Sequence, residues 1–212
     1  MKFDFETLST RDRNKLMLST VMPRPIALTT TVNREGIINA APFSYFQAVT
    51  PQPPLLMIAV QTNLTGGAKD TAANIRASGD FVVNMVSYAM AEAMNICAID
   101  FPPEMSEIDA AAFTLEPSEK VTPPRIAETP IAFECRRHSA IEVGPGHQLI
   151  LGEIVCLHVQ DACISDAEKM HIAGDNLDLI GRMHGSGWYT RTTDLFEMKR
   201  VGLDAWKAAQ AT

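Results

Sequence analysis

The sequence predicts a mainly β fold with peripheral α-helices, arranged as an antiparallel barrel. Three observations predict it: at least six strand-like segments, several long hairpins, and no βαβ alternation between them.

In chain order, "RPIALTTTV", beginning at Arg24, is rich in β-branched residues, "NREG" is a turn, and "IINAAPFSYFQAV" resumes extended character, which makes a hairpin. "PQPP" punctuates the chain before "LLMIAV", a continuous apolar run of the length of a strand buried on both faces. "KDTAANIRASGD" reads as a short helix with Asp70 or Thr71 as its N-cap and Gly79 as its terminator. "DFVVNMVS" is another strand, and "YAMAEAMNICAID" is helical until "FPPEM" stops it. From about Phe101 to Pro130 the chain is proline-rich without a strand period, apart from a small helix near "SEIDAAAF"; it reads as an insertion, a lid or an edge. Two long strands follow, "IAFECRRHSAIEVG" and "HQLILGEIVCLHVQ", joined by "GPG". A glycine-rich loop, "GRMHGSGWYTRTTDLFEMKR", and a short helix end the reading.

A chain of 212 residues with 46% hydrophobic composition buries a sizeable core in one domain, taken as residues 1–212. The formal charge of −7 opposes general nucleic-acid binding. The charged start, "MKFDFETLSTRDRNK", has no apolar signal core, and no apolar stretch approaches a membrane span, so a soluble cytoplasmic protein is expected. Cys97, Cys135, Cys156 and Cys163 show neither a disulfide framework nor zinc spacing, so reduced thiols are expected. Strand alternation puts Cys156 and His158 on one face, where ordinary packing explains them and no metal site is expected. There is no G-x-G-x-x-G after a strand, and "TGGAK" lacks the remaining P-loop residues.

Two stretches carry chemistry. Lys69 stands where a helix presents unpaired N–H groups and positive charge, a repulsive position that an anion relieves and that solvation alone also tolerates. In "NAAPFSYF" the backbone beside Ala41 and Pro42 and the Ser44 hydroxyl suit the edge of a planar heterocycle, with Tyr45 or Phe46 as apolar walls; a bulged edge strand explains the same residues.

The ordered set "RPIALTTTVNREGIINAAPFSYFQAVTPQPPLLMIAV", "KDTAANIRASGDFVVNMVS", "GPGHQLILGEI" and "GRMHGSGWYTRT" resembles the flavin reductase-like proteins with an FMN-binding split barrel, particularly the flavoredoxin-type branch. The similarity runs from about Pro23 to Phe196 and is weakest in the first 20 residues and between Phe101 and Pro130. The resemblance implies a homodimer with FMN near the subunit interface. It also implies electron transfer from NADH or NADPH to flavin, or from reduced flavin to a partner such as a monooxygenase. A barrel that holds FMN or another planar cofactor without turnover is the alternative.

By the same resemblance, "KDTAAN" lies near the flavin phosphate, with Lys69 as a point charge, Asp70 and Thr71 at the helix start, and Thr71 adding a hydroxyl. Asn74 is either a cofactor donor or a tie to a neighbouring loop. Thr29 and Thr31 face one way and Thr30 the other, so only one set meets the flavin. His147 matches a histidine near the nicotinamide side and is the one catalytic candidate. Tyr189 and Arg191 either close over the cofactor or belong to plain surface loop.

Overall fold

The computed structural model describes residues 1–62, 69–102 and 105–210. The "TGGA" part of the stretch compared with a P-loop lies outside them.

The chain starts with α1 (Thr10–Thr20), absent from the sequence expectation. Ser9 caps it by accepting the Asp12 N–H at 3.1 Å, and its hydroxyl donates to the Asp12 carboxylate at 2.6 Å. Strands β1 (Arg24–Pro25), β2 (Ala27–Val32), β3 (Ile38–Phe43), β4 (Phe46–Pro51) and β5 (Pro54–Val60) follow. The expected second hairpin strand is thus two strands, broken at Ser44–Tyr45. Next come α2 (Asp70–Ser78), β6 (Asp80–Met85), a 3-10 turn, α3 (Ala91–Ile96) and α4 (Glu107–Ala111). The α2 N-cap is Lys69, not Asp70 or Thr71, because the Lys69 carbonyl already accepts from the Ala72 and Ala73 N–H groups. At its other end Gly79 has φ +82°, a left-handed terminator.

The proline-rich insertion contains a two-strand ladder, β7 (Leu115–Glu116) with β8 (Arg125–Ile126). Long strands β9 (Ile131–Gly144) and β10 (His147–Val159) form the expected hairpin. The remainder holds β11 (Ile164–Asp166), β12 (His171–Ile172), α5 (Gly174–Leu177), β13 (Ile180–Arg182), β14 (Tyr189–Arg191) and α6 (Leu203–Gln210). The glycine-rich loop therefore carries β14 and pairs it with β13.

Seven strands form one sheet in the order β3-β2-β6-β9-β10-β5-β4, antiparallel throughout. Side chains of all seven, including Ala27, Phe43, Phe46, Ile58, Phe81, Cys135 and Ile150, meet in one buried cluster, so the sheet curls into a barrel. Its two edge strands, β3 and β4, are consecutive in the chain and joined only by Ser44 and Tyr45. Helix α2 closes this core with Ala72 and Ile75. Gly152 lets the wall pack on the core, since a Cβ there would fall 2.9 Å from Phe81 Cε1 and 3.1 Å from Cys135 Cβ.

A second core lies against the opposite face of β2 and β3, where Leu28 and Ala40 meet Met90 and Met94 from the α3 region, Ile108 of α4 and Ile126 of β8. Residues 114–129 are a strap along this outer wall. Thr30 donates to the Pro124 carbonyl at 2.6 Å, the Ile126 N–H donates to Asn84 at 2.9 Å, and the Glu119 and Lys120 N–H groups donate to Glu134 at 2.8 and 2.6 Å. Three polar side chains otherwise costly to bury there, Thr30, Asn84 and Glu134, are satisfied by the strap backbone.

Glu107 is buried beside β3, where its carboxylate accepts the Ala40 N–H at 3.0 Å. Burial raises its pKa above the ordinary 4.5, against the opposing pull of that N–H. The folded chain therefore holds this proton over a range where the unfolded chain has lost it, and the contribution of Glu107 to stability falls as pH rises above about 4.5. Glu107→Gln, whose amide oxygen still accepts from Ala40, is expected to gain stability over the parent at pH 7 and to match it at pH 4 in denaturant unfolding. A gap that does not grow with pH would contradict this assignment.

Candidate functional site

At the β3–β4 break, a cavity of about 260 Å³ is bordered by Asn14 and Leu18 of α1, Arg24, Pro42, Phe43, Ser44, Tyr45, Ala59, Gln61, Lys69 and Arg182. The break itself shapes it, because the Tyr45 carbonyl accepts the Ala59 N–H at 2.8 Å and turns the chain from one sheet edge to the other.

Among the described residues three cations border this cavity and no carboxylate does. Arg24 and Arg182 are direct cross-strand partners of β1 and β13. Like charges in that register oppose each other. Arg24 is buried at 4% exposure and donates to the carbonyls of Leu18, Val21 and Met183 at 2.8, 2.7 and 3.1 Å and to Ser44 Oγ at 3.3 Å. Burial lowers its pKa, with Tyr45 opposing the shift and Arg182 adding to it. Among the described residues no carboxylate pairs with Arg24. Arg182 donates to the Ser186 carbonyl at 2.7 Å and lies 4.5 Å over the Tyr189 ring. Lys69 reaches Asp100 at 3.4 Å, a pair open to solvent on both sides.

Of the residues expected from sequence, Pro42, Ser44, Tyr45 and Lys69 meet at this cavity. Ala41 packs against the barrel core, and Phe46 is buried in it. Thr29, Thr30 and Thr31 are fully buried. Thr29 donates to the Ala27 carbonyl at 3.4 Å, Thr30 holds the strap, and Thr31 Oγ1 accepts from Asn74 at 3.0 Å and from Asn39 at 3.4 Å. Thr71 Oγ1 likewise accepts from Asn39 at 3.0 Å. Thr71 and Asn74 thus clasp α2 to strands β2 and β3, where the sequence offered Asn74 as a cofactor donor or a tie to a loop. Asp70 is exposed at the first helical position and borders a smaller cleft with Asn39 and Glu107.

Arg191 is held by Asp178 through contacts of 2.8, 2.9 and 3.1 Å and covers the Tyr88 ring at 4.3 Å. Tyr189 lies under the guanidinium of Arg182, which borders the cavity. His147 sits at the tip of the β9–β10 hairpin and borders none of the cavity. The bordering residues that sequence reasoning missed are Asn14, Leu18, Arg24, Phe43, Ala59, Gln61 and Arg182.

Residues 17–171 match the family described as the flavin reductase like domain. The chain belongs to that family. Its class of function is flavin-related oxidoreduction. The 2-nitrobenzoate 2-nitroreductase NbaA of Pseudomonas fluorescens superposes with a TM-score of 0.88 at 37% identity, covering 96% of this chain and 98% of its own. Component B of nitrilotriacetate monooxygenase from Bacillus cereus gives 0.88 at 33% identity over 93% and 98%. Flavoredoxin of Desulfovibrio vulgaris (Miyazaki F) shares the fold, with a TM-score of 0.74 at 21% identity over 97% of this chain and 100% of its own. The split barrel expected from the sequence motifs is the fold of this family member. Among the described residues no helix is long and apolar enough to cross a membrane.

Proposed function

We propose that this family member is an FMN-binding oxidoreductase of the cytoplasm that takes electrons from NADH or NADPH and passes them through flavin to a small acceptor or a partner monooxygenase. The observation that carries the reading is the Arg24–Arg182 cross-strand pair with Lys69 beside it, three cations around one cavity that no carboxylate among the described residues borders. An anionic ligand removes that repulsion, and the phosphate of FMN supplies the anion.

The residues fit the group. Lys69, at the N-cap of α2, would hold the phosphate, and Pro42, Ser44 and Tyr45 would form the wall for the ring system. Bound FMN supplies a hydride acceptor, which is chemistry no side chain here provides. The protein's part is to orient the ring, exclude water and steady negative charge through fixed donors.

A cavity of about 260 Å³ is small for such a ligand, since pockets for ligands of this size run to about 300–1,000 Å³. A second copy of the chain completes it in this reading. Support comes from the segment beyond β14, where Leu195, Phe196, Met198, Val201, Leu203 and Trp206 are all more than half exposed. The β9–β10 hairpin also carries exposed Ile141 and Val143 towards its tip. His147 then acts on the nicotinamide side of the partner's site. His147→Ala is expected to slow NAD(P)H-driven flavin reduction about tenfold or more with FMN affinity within about twofold of the parent. Unchanged reduction in stopped-flow traces would make His147 structural.

The test of the function is the visible spectrum of the purified protein, followed without oxygen by NADH and NADPH in separate samples. A flavin spectrum bleached by either nucleotide supports the reductase and names its donor. A flavin spectrum that persists with both leaves the non-catalytic barrel, and failure to bind added FMN overturns the proposal.

A further inference from the structure

Glu134, Cys156 and His158 meet on the outer wall of the barrel, among residues that share nothing with the cationic cavity. Strand alternation turns Phe133 and Cys135 towards the barrel core and Glu134 away from it. A register shift between Ile154 and Cys156 brings Cys156 opposite Glu134, and the next residue on that face of β10 is His158. The three donor atoms lie within 4.8 Å of one another.

The contacts converge in a way that a proton relay does not. His158 Nε2 lies 2.5 Å from Glu134 Oε1 and 3.6 Å from Cys156 Sγ, so one ring nitrogen faces both groups. In a Cys–His–carboxylate relay the two partners take opposite ring nitrogens. A common point for sulfur, nitrogen and oxygen donors is instead the requirement of a metal ion. We propose that Glu134, Cys156 and His158 bind a zinc ion, with the remaining position open to water from the neighbouring cavity.

The distances suit zinc. Bonds of about 2.3 Å to sulfur and about 2.0 Å to nitrogen at a tetrahedral angle separate the two ligand atoms by about 3.5 Å, close to the 3.6 Å between Cys156 and His158. The carboxylate and imidazole must part by less than about 1 Å to admit the ion. His158 has room for that shift, because its side chain is 21% exposed whereas that of Glu134 is fully buried. The Glu119 and Lys120 N–H groups already fix the Glu134 carboxylate, as the outer contacts of a ligating carboxylate do. Mixed sulfur, imidazole and carboxylate donors favour zinc over calcium or magnesium. His158 and Gln160 also border a cavity of about 660 Å³ that includes Leu157, Met170 and Ile172, which gives water a route to the ion.

On binding, the Cys156 thiol releases its proton to solvent, the proton shared between His158 Nε2 and Glu134 leaves that nitrogen for Nδ1 or for solvent, and thiolate, imidazole and carboxylate bond to zinc without change of oxidation state, so affinity falls with falling pH. The experiment strips the full-length protein with chelator and measures zinc by equilibrium dialysis, with cobalt(II) as a spectroscopic probe read as a difference against the cobalt-free protein. The expected result is one zinc per chain and a thiolate-to-cobalt charge-transfer band. Cys156→Ser and His158→Gln are each expected to weaken zinc about tenfold or more, while His138→Gln, at an exposed hairpin position, leaves it unchanged. Cys156→Ser is a near-isosteric change at a partly exposed position, and a melting temperature that matches the zinc-free parent shows that it folds. Substoichiometric zinc, or zinc and cobalt signals that survive Cys156→Ser, would overturn the site and leave the three residues as a hydrogen-bonded staple for the strap.

Discussion

Arg24→Met is expected to cost about 3–5 kcal/mol of folding stability and to weaken flavin binding with it. Methionine keeps much of the length and apolar body of the side chain but removes every donor. The carbonyls of Leu18, Val21 and Met183 are then left without the cation that holds them at 2.7 to 3.1 Å, at a position only 4% exposed. Two of those carbonyls belong to the C-terminal end of α1, where a positive charge also answers the helix dipole. Releasing α1 withdraws Asn14 and Leu18 from the cavity wall. Hydrogen exchange is expected to quicken over residues 10–21 before it changes in the barrel strands. Arg24→Lys separates charge from geometry: one ammonium cannot span four acceptors on three segments, so this variant falls between the parent and methionine. If lysine matched arginine in denaturant unfolding, the fork of hydrogen bonds would not be what holds the helix.

The sequence and structure agree where local pattern controls the outcome. The β9–β10 pair was legible because two long extended runs flank a turn that only a hairpin satisfies, and α2 because Gly79 ends it cleanly. Lys69 was legible as an electrostatic oddity, and the structure sharpens it by making Lys69 itself the cap, with no side chain capping the helix.

What was hidden depends on contacts far apart in the chain. Arg24 and Arg182 face each other only because β1 and β13, strands of two and three residues, pair across most of the sequence. Neither strand is long enough to show a period. Helix α1 was missed because Leu16, Met17 and Leu18 are consecutive and mark no face, although Ser9 followed by Asp12 is a capping signal. Phe46 was placed with Tyr45 as a wall, yet the break at Ser44–Tyr45 resets strand parity and sends Phe46 into the core. The three threonines look alike in sequence, and their buried partners give each a different task.

Lys69→Ala is expected to raise the dissociation constant for FMN about 10- to 100-fold, the loss of one charge-assisted phosphate contact of about 1.5–3 kcal/mol, and to change riboflavin binding less than about threefold. The two ligands differ only in the phosphate, so their ratio isolates the charge from any general loosening of the site. Lys69 occupies an N-cap position with no capping side-chain bond, beside the positive end of α2. Its pair with Asp100 spans 3.4 Å between side chains that are 33% and 45% exposed, and such pairs stabilise little. The ligand-free protein therefore has little to lose from alanine, and its unfolding free energy is expected to stay within about 1 kcal/mol of the parent. Salt provides an independent reading: FMN affinity of the parent falls as ionic strength rises, and the slope is shallower in the variant because one of three cations is gone. Equal loss for FMN and riboflavin, with an unchanged salt slope, would remove Lys69 from the phosphate and assign the anion to Arg24 and Arg182 alone.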